Sequence, residues 1–158
     1  MQKKNNYNQV KKILIDYGED KKRIYIKGNA IKNLDNKLDM LQAGWSSSEP
    51  TQGGGTSQED KVIKLLDKKK ILEKEIEDIR SNNYELKYAI KQLDNTSKVI
   101  IYNVWINRTH TMRQQAKELY MSKSTVYNKS ELAIKEIYKI RKEQGYNFNK
   151  LDKNWTSY

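Results

Sequence analysis

The middle of the chain carries the feature that most limits the possible folds, a long stripe of apolar residues. Its members follow one another in alternating steps of three and four, with polar Lys69 and Asn83 in the two remaining positions: Val62, Leu65, Leu72, Ile76, Ile79, Leu86, Ile90 and Leu93. A heptad repeat of this length predicts a long amphipathic helix over residues 59–95. One helix cannot bury such a stripe by itself, so it must pack on the N-terminal helices, on a second copy of the chain, or on both.

Asn83 leaves two interpretations of this helix open. A buried Asn in a coiled-coil seam favours one register and a parallel arrangement, which predicts a homodimer through residues 60–93. The sequence "SNNY" around it also fits a kink or a break, because Asn side chains compete for backbone hydrogen bonds. The two interpretations differ in whether the stripe is continuous.

The N-terminal segment, residues 1–43, holds two helical patterns. The second runs from Asp20 to Leu41, and Gly18 is predicted to stop the first, whose apolar face consists of Tyr7, Val10, Ile13, Leu14 and Tyr17. Residues 44–58 then contain the only proline, four of the seven glycines and four serines. Such a composition cannot sustain a periodic structure, so it predicts a flexible linker.

Residues 96–141 contain a helix-turn-helix pattern. A support helix is predicted ahead of it, from an apolar face made by Ile100, Ile101, Val104 and Trp105. The segment "MRQQAKELYMSKSTVYNKSELAIKEIYKIRK" then fits the pattern Ala-x-x-x-Gly-Val-Ser-x-x-Thr-Val, with these residues in register: Ala116, Leu119, Met121, Ser122, Thr125 and Val126. Ala116 is small enough for two helices to cross closely, and Ser122 can cap the second, the predicted recognition helix.

One position departs from the pattern, because Tyr120 stands where Gly usually makes the turn. A left-handed backbone costs a non-glycine residue about 1 kcal/mol or more, so a slightly reshaped turn is predicted. The outer face of the second helix offers donors, acceptors and cations for base edges and phosphates. The candidate DNA contacts are Arg108, His110, Arg113, Ser122, Lys123, Ser124, Thr125, Tyr127, Asn128 and Lys129.

The distribution of charge agrees with a polyanion as the ligand. The net charge is +11, and Lys and Arg minus Asp and Glu give 10 − 5 = +5 for residues 1–43, 9 − 10 = −1 for 44–96 and 12 − 5 = +7 for 97–158. A near-neutral middle between basic ends suggests a spacer or dimerisation rod that carries a basic head. A Lys-rich, Asn-rich composition from a biased genome is the alternative.

No enzyme, metal or cofactor is expected. Cysteine is absent, and the single histidine, His110, has no paired-carboxylate or glycine-rich phosphate motif around it. The "GGGT" at residues 53–56 lacks the Gly-Lys-Ser/Thr of a phosphate loop. No segment approaches the roughly 18 uninterrupted apolar residues that span a bilayer, so a soluble, cytoplasmic protein is expected.

The predicted fold is all-α and has five parts. An N-terminal helical segment (1–43), a linker (44–58), a long helix for dimerisation or packing (59–95) and a helix-turn-helix domain (96–141) precede a tail (142–158). In the tail, Gly145 is expected to stop the preceding helix, and Phe148, Leu151 and Trp155 to fold back on the bundle.

This order of segments resembles a known family. The segments "EDKVIKLLDKKKILEKEIEDI" and "VIIYNVWINRTHTMRQQAKELYMSKSTVYNKSELAIKEI" look like small phage transcriptional regulators of the RinA and ArpU type, whose C-terminal part is similar to region four of bacterial sigma factors. The resemblance covers residues 58–141, and 1–57 in layout. It implies a recognition helix that reads a promoter element in the major groove through Lys123, Ser124, Thr125, Tyr127 and Asn128.

The same resemblance implies a role and its partners. Such regulators activate late phage operons inside a bacterial host cell, which makes RNA polymerase a candidate partner beside double-stranded DNA. No equivalent of sigma region two is recognisable, so a complete sigma factor is not expected. Two alternatives are a small terminase-like subunit that recognises DNA for packaging and assembles into rings, and a structural coiled-coil adaptor that binds no DNA.

Overall fold

The structure, a computed structural model, describes residues 2–45 and 57–148, with the side chains of 6–44 and 57–148. Every regular element in these stretches is a helix, which confirms the all-α prediction. The elements are α1 (Gln2–Trp45), α2 (Gln58–Asn82), α3 (Tyr84–Gln92), α4 (Asn95–Ile100), a π-helical segment (Ile101–Ile106), α5 (Met112–Glu118) and α6 (Lys123–Glu143). Most of the predicted linker, and Leu151 and Trp155 of the tail, lie outside the described residues.

The chain divides into two compact units. The head unit consists of Met1–Asp20 together with Asn82–Tyr158, and the hairpin unit is Lys21–Ser81. α1 contributes its first half to the head unit and its second half to the hairpin unit. Residues from both ends of the chain therefore build the unit that contains the helix-turn-helix pattern.

α1 is one continuous helix where the sequence predicts two, so the stop expected at Gly18 is wrong. Gly18 is buried inside the helix, and a Cβ built on it would lie 1.9 Å from the backbone oxygen of Ile106. A glycine in a helix interior costs about 0.5–1 kcal/mol relative to alanine. Here its function is to let the π-helical segment approach α1 closely, which no neighbouring residue reveals.

The hairpin unit pairs the second half of α1 with α2. Lys27 forms an ion pair with Glu75, and the Lys69 Nζ lies 2.6 Å from the Asp35 Oδ1. Because the residue numbers rise in α1 as they fall in α2, the two helices run antiparallel. The hydrogen bond to Asp35 raises the pKa of Lys69. Lys69, one of the two polar residues in the stripe, therefore has its partner on α1 of the same chain. The homodimer through residues 60–93 stays a prediction.

Asn83 interrupts the helix predicted over 59–95, which agrees with the interpretation of this residue as a kink or break. α2 ends at Asn82 and α3 begins at Tyr84, with Asn83 at φ −96 and ψ −1. The Asn83 Nδ2 donates a hydrogen bond of 2.8 Å to the Asp20 Oδ2. Asn83 therefore contacts α1 of its own chain, and the second part of the stripe continues on α3.

The core of the head unit gathers residues that are far apart in the sequence. α1 contributes Val10 and Leu14, which have no exposed surface. They pack with buried residues of α3, the π-helical segment, α6 and the last described turn: Leu86, Ala89, Ile90, Leu93, Ile101, Ile106, Ala133, Ile134, Ile137 and Phe148. The last three members of the heptad stripe thus belong to this core.

Candidate nucleic-acid interface

α5 and α6 form a helix-turn-helix arrangement around a small apolar wedge. Its buried centre is Ile100, Ala116 and Val126, and the partly buried side chains packed on it are Val104, Met112, Leu119 and Met121. Ala116 is only 5% exposed, which agrees with the need for a small side chain where the helices cross. The apolar residues of the predicted support helix pack in two places. Ile100 and Val104 pack in the wedge, and Ile101 packs in the core of the head unit.

The turn between α5 and α6 keeps the left-handed backbone that glycine usually supplies. Tyr120 has φ 52 and is 97% exposed. The Met121 N–H donates to the Ala116 carbonyl at 3.0 Å, which closes the turn. The predicted reshaping is therefore wrong: Leu119 and Met121 pack into the wedge on both sides of Tyr120, and this packing offsets the strain of about 1–2 kcal/mol.

α6, the predicted recognition helix, begins where the sequence predicts. Ser122 adopts an extended backbone, and its Oγ accepts a hydrogen bond of 3.1 Å from the Thr125 N–H. The same oxygen lies 2.9 Å from the Ser124 Oγ and 2.8 Å from the Thr125 Oγ1. Since the first backbone N–H groups of a helix have no acceptor within it, this start also suits a phosphate.

The two faces of α6 differ sharply in exposure. The inner face is buried and holds Val126, Ser130, Ala133, Ile134, Ile137 and Arg141. The outer face near the helix start is exposed and holds five of the candidate contacts: Lys123, Ser124, Thr125, Tyr127 and Asn128. Lys129 differs from them, because it is only partly exposed and its charge helps to lower the pKa of Asp94.

The candidates ahead of α6 differ in their availability. Arg108 and Arg113 are exposed, and Arg108 has a left-handed backbone at φ 55. Both ring nitrogens of His110 have partners, with Nε2 at 2.7 Å from the Glu118 Oε1 and Nδ1 at 2.9 Å from the Thr109 Oγ1. His110 is therefore better placed to stabilise α5, through its contact with Glu118, than to contact a phosphate.

The N-terminal helix α1 contacts α6, a role that sequence reasoning missed. The Lys11 Nζ lies 2.7 Å from the Glu131 Oε1 and 5.1 Å from the centre of the Trp105 ring. The Trp105 Nε1 donates to the Ser130 Oγ at 2.9 Å. Nothing local in the sequence signals contacts between residues 120 positions apart.

The end of α6 is fixed by a charged and aromatic cluster. Arg141 is 5% exposed, pairs with Glu85 of α3, and has its guanidinium 4.5 Å from the centre of the Tyr146 ring. Gly145, at φ 82, follows the helix end as predicted. Phe148 is buried, with its ring centre 4.7 Å from that of Tyr138, so the tail folds back on the bundle as far as it is described.

Asp94 caps α4, and replacing it with alanine should cost about 1 kcal/mol of unfolding free energy at pH 7. Hydrogen bonds from the hydroxyl and the backbone N–H of Ser97 lower the pKa of Asp94. A carboxylate whose pKa is lowered by folding stabilises the fold at any pH above its ordinary pKa. This stabilisation is lost as the pH falls through the lowered pKa. Urea unfolding of the wild type and of Asp94→Ala, at pH 7 and at low pH, measures the difference in their free energies of unfolding.

The gap between wild type and Asp94→Ala should therefore narrow in acid. The Asp94→Asn variant is the matched control, because it keeps a side-chain acceptor but carries no charge, so its own difference from Asp94→Ala should not vary with pH. An unchanged gap between wild type and Asp94→Ala across the range would contradict the cap.

The described residues contain no group of three or more acidic or histidine side chains that could hold a metal ion. Among the described helices, none is both long and apolar enough to cross a membrane. Residues 40–138 match a family described as "Protein of unknown function (DUF1492)", a range that includes α2 to α5 and most of α6. No curated protein and no solved structure matches the chain.

Proposed function

The chain belongs to the DUF1492 family, and we propose that it is a sequence-specific regulator of transcription that binds double-stranded DNA. The observation that carries the proposal is the outer face of α6. There an N-capped helix start is followed by exposed Lys123, Thr125, Tyr127 and Asn128, while the inner face is buried. A helix with this division can enter the major groove and present its first two turns to base edges.

The charges around α5 and α6 support a polyanionic ligand. Two carboxylates of α5 and α6 have partners inside the protein, Glu118 with His110 and Glu131 with Lys11. Exposed cations lie on α5, at the start of α6 and in the loop ahead of α5, namely Arg113, Lys117, Lys123 and Arg108. Lys and Arg that neutralise phosphates supply most of the sequence-independent affinity for DNA.

The resemblance to RinA and ArpU regulators supports a narrower version of this proposal. In that version the protein activates a late operon of a phage or prophage, in the cytoplasm of a bacterial host, and contacts RNA polymerase. The face of α6 described above would then read a promoter element as region four of a sigma factor does. A finding that the protein binds its site but leaves transcription unchanged would remove the activator role and keep the DNA-binding one.

Selection of bound fragments from the source genome tests the proposal. The purified protein is mixed with sheared genomic DNA at two salt concentrations, and the retained fragments are sequenced. We expect one or a few sites upstream of operons that persist at the higher salt, because specific contacts add to the salt-dependent phosphate term. A uniform pool that disappears at the higher salt would contradict sequence-specific binding, and retention of no DNA would contradict DNA binding altogether.

A further inference from the structure

The hairpin unit has an open apolar groove that nothing in the described part of the chain covers. One stretch, of about 450 Å³, is lined by Met40, Leu41 and Leu65 together with lysines. A second, of about 420 Å³, shares Lys37 with the first and is lined by Ala30, Leu34, Ile71 and Leu72 together with polar residues. Met40 is 75% exposed and Ile71 59% exposed, so large apolar side chains lie open to solvent along this face.

The rim of the groove is positively charged. Lys37, Lys61, Lys64 and Lys68 line it, and the one acidic residue in the lining, Glu75, already pairs with Lys27. Four cations against one paired carboxylate leave a strong positive excess beside an apolar floor. From Ala30 to Leu41 the groove follows α1 for about three helical turns, or roughly 17 Å.

We infer that this groove binds an amphipathic helix of a partner protein, about three turns long, with Asp and Glu flanking its apolar stripe. An apolar stripe would cover Met40 and Ile71, and the acidic flanks would meet the lysines of the rim. A second copy of this chain that docks groove to groove fits poorly, because the lysines of one groove would meet those of the other. DNA fits poorly as well, because a phosphate backbone would leave the apolar floor exposed to water.

The binding site lies entirely within residues 21–81, whereas the proposed DNA contacts lie in the head unit. The inference therefore does not rest on the proposed function, and either can fail alone. A regulator with both surfaces would bring a partner protein to a DNA site.

Display selection on the full-length protein tests the inference with peptides of about 16 residues, which exceed three helical turns. We expect the enriched peptides to be acidic and to place apolar residues at positions i, i+3 or i+4, and i+7. The best peptide is then labelled, and its affinity is measured by fluorescence anisotropy against variants. Recovery of no binders, or of basic or non-periodic ones, would overturn the inference.

Matched variants locate the binding. Ile71→Ser should weaken the peptide at least about tenfold, because an isoleucine that becomes buried contributes on the order of 1.5–3 kcal/mol. Ile63→Ser is the control, since Ile63 is 54% exposed on the same helix but does not line either stretch of the groove. The double variant Lys61→Glu, Lys64→Glu should weaken binding and reduce its salt dependence.

Three other outcomes would overturn the inference and name a different occupant or site. Equal losses from Ile71→Ser and Ile63→Ser would place the peptide elsewhere. A wild-type dimer in sedimentation that Ile71→Ser dissociates would make a second copy the occupant. DNA binding that the double lysine variant lowers and Ile71→Ser leaves unchanged would make the rim a nucleic-acid surface.

Discussion

Replacing Gly18 with alanine should lower the free energy of unfolding by about 3 kcal/mol, a loss at the upper end for an added methyl group. A Cβ at this position would lie 1.9 Å from the oxygen and 2.9 Å from the carbon of the Ile106 carbonyl. Both atoms are backbone, so no side chain can rotate away, and α1 or the π-helical segment must move. Thermal unfolding should show a fall in Tm of roughly 10 °C for a chain of this size.

Gly28→Ala is the matched control, because Gly28 lies in the same helix and has nothing within 4 Å of its added Cβ. It should raise stability by about 0.5–1 kcal/mol, since alanine has the higher helix propensity. The two substitutions are chemically identical and are expected to have opposite signs. Equal gains at both positions would show that α1 and Ile106 are not in close contact.

Gly18 also shows where sequence reasoning fails for this fold. A glycine after an apolar face is typical of a helix end, and the local pattern alone favours that interpretation. The continuous helix follows from contacts with residues nearly ninety positions away, which the local pattern does not contain. The same holds for Lys11, whose partners Trp105 and Glu131 stand in the C-terminal third.

Local physics predicted the helix-turn-helix well, because most of its determinants are close in sequence. Ser122 caps α6 through a residue three positions on, and Ala116 and Val126 meet across a short turn. The conformation of Tyr120 was harder to predict, since its cost of about 1–2 kcal/mol must be weighed against packing that only the folded wedge provides.

Polar positions in the heptad stripe were the other ambiguous feature. The spacing predicted that one face of residues 59–95 is buried, and Leu86, Ile90 and Leu93 are buried. It could not tell whether Asn83 specifies a dimer or marks a break, and it did not show which polar neighbours on a facing helix Lys69 and Asn83 would meet. Asp35 and Asp20 supply those neighbours from α1.

Asn128→Ala should lower the affinity for the selected DNA site by about 1–3 kcal/mol while leaving affinity for random DNA almost unchanged. Asn128 is exposed on the outer face of α6, where its amide can donate to and accept from a base edge. Binding is measured by anisotropy with a duplex carrying the recovered site and a shuffled duplex of the same length. Because the side chain is exposed, stability should change by no more than about 0.5 kcal/mol.

Lys123→Ala should weaken both duplexes alike and lower the salt slope of the affinity by about one, the signature of a lost phosphate contact. Lys139→Ala removes the same charge from an exposed position farther along α6 and should change neither slope nor affinity much. Lys129 is a poorer probe, although the sequence predicts a contact there too, because its charge also acts on Asp94. Equal losses from Asn128→Ala on both duplexes would contradict base readout, and equal losses from Lys123→Ala and Lys139→Ala would mean that charge alone, and not the first turn of α6, holds the DNA.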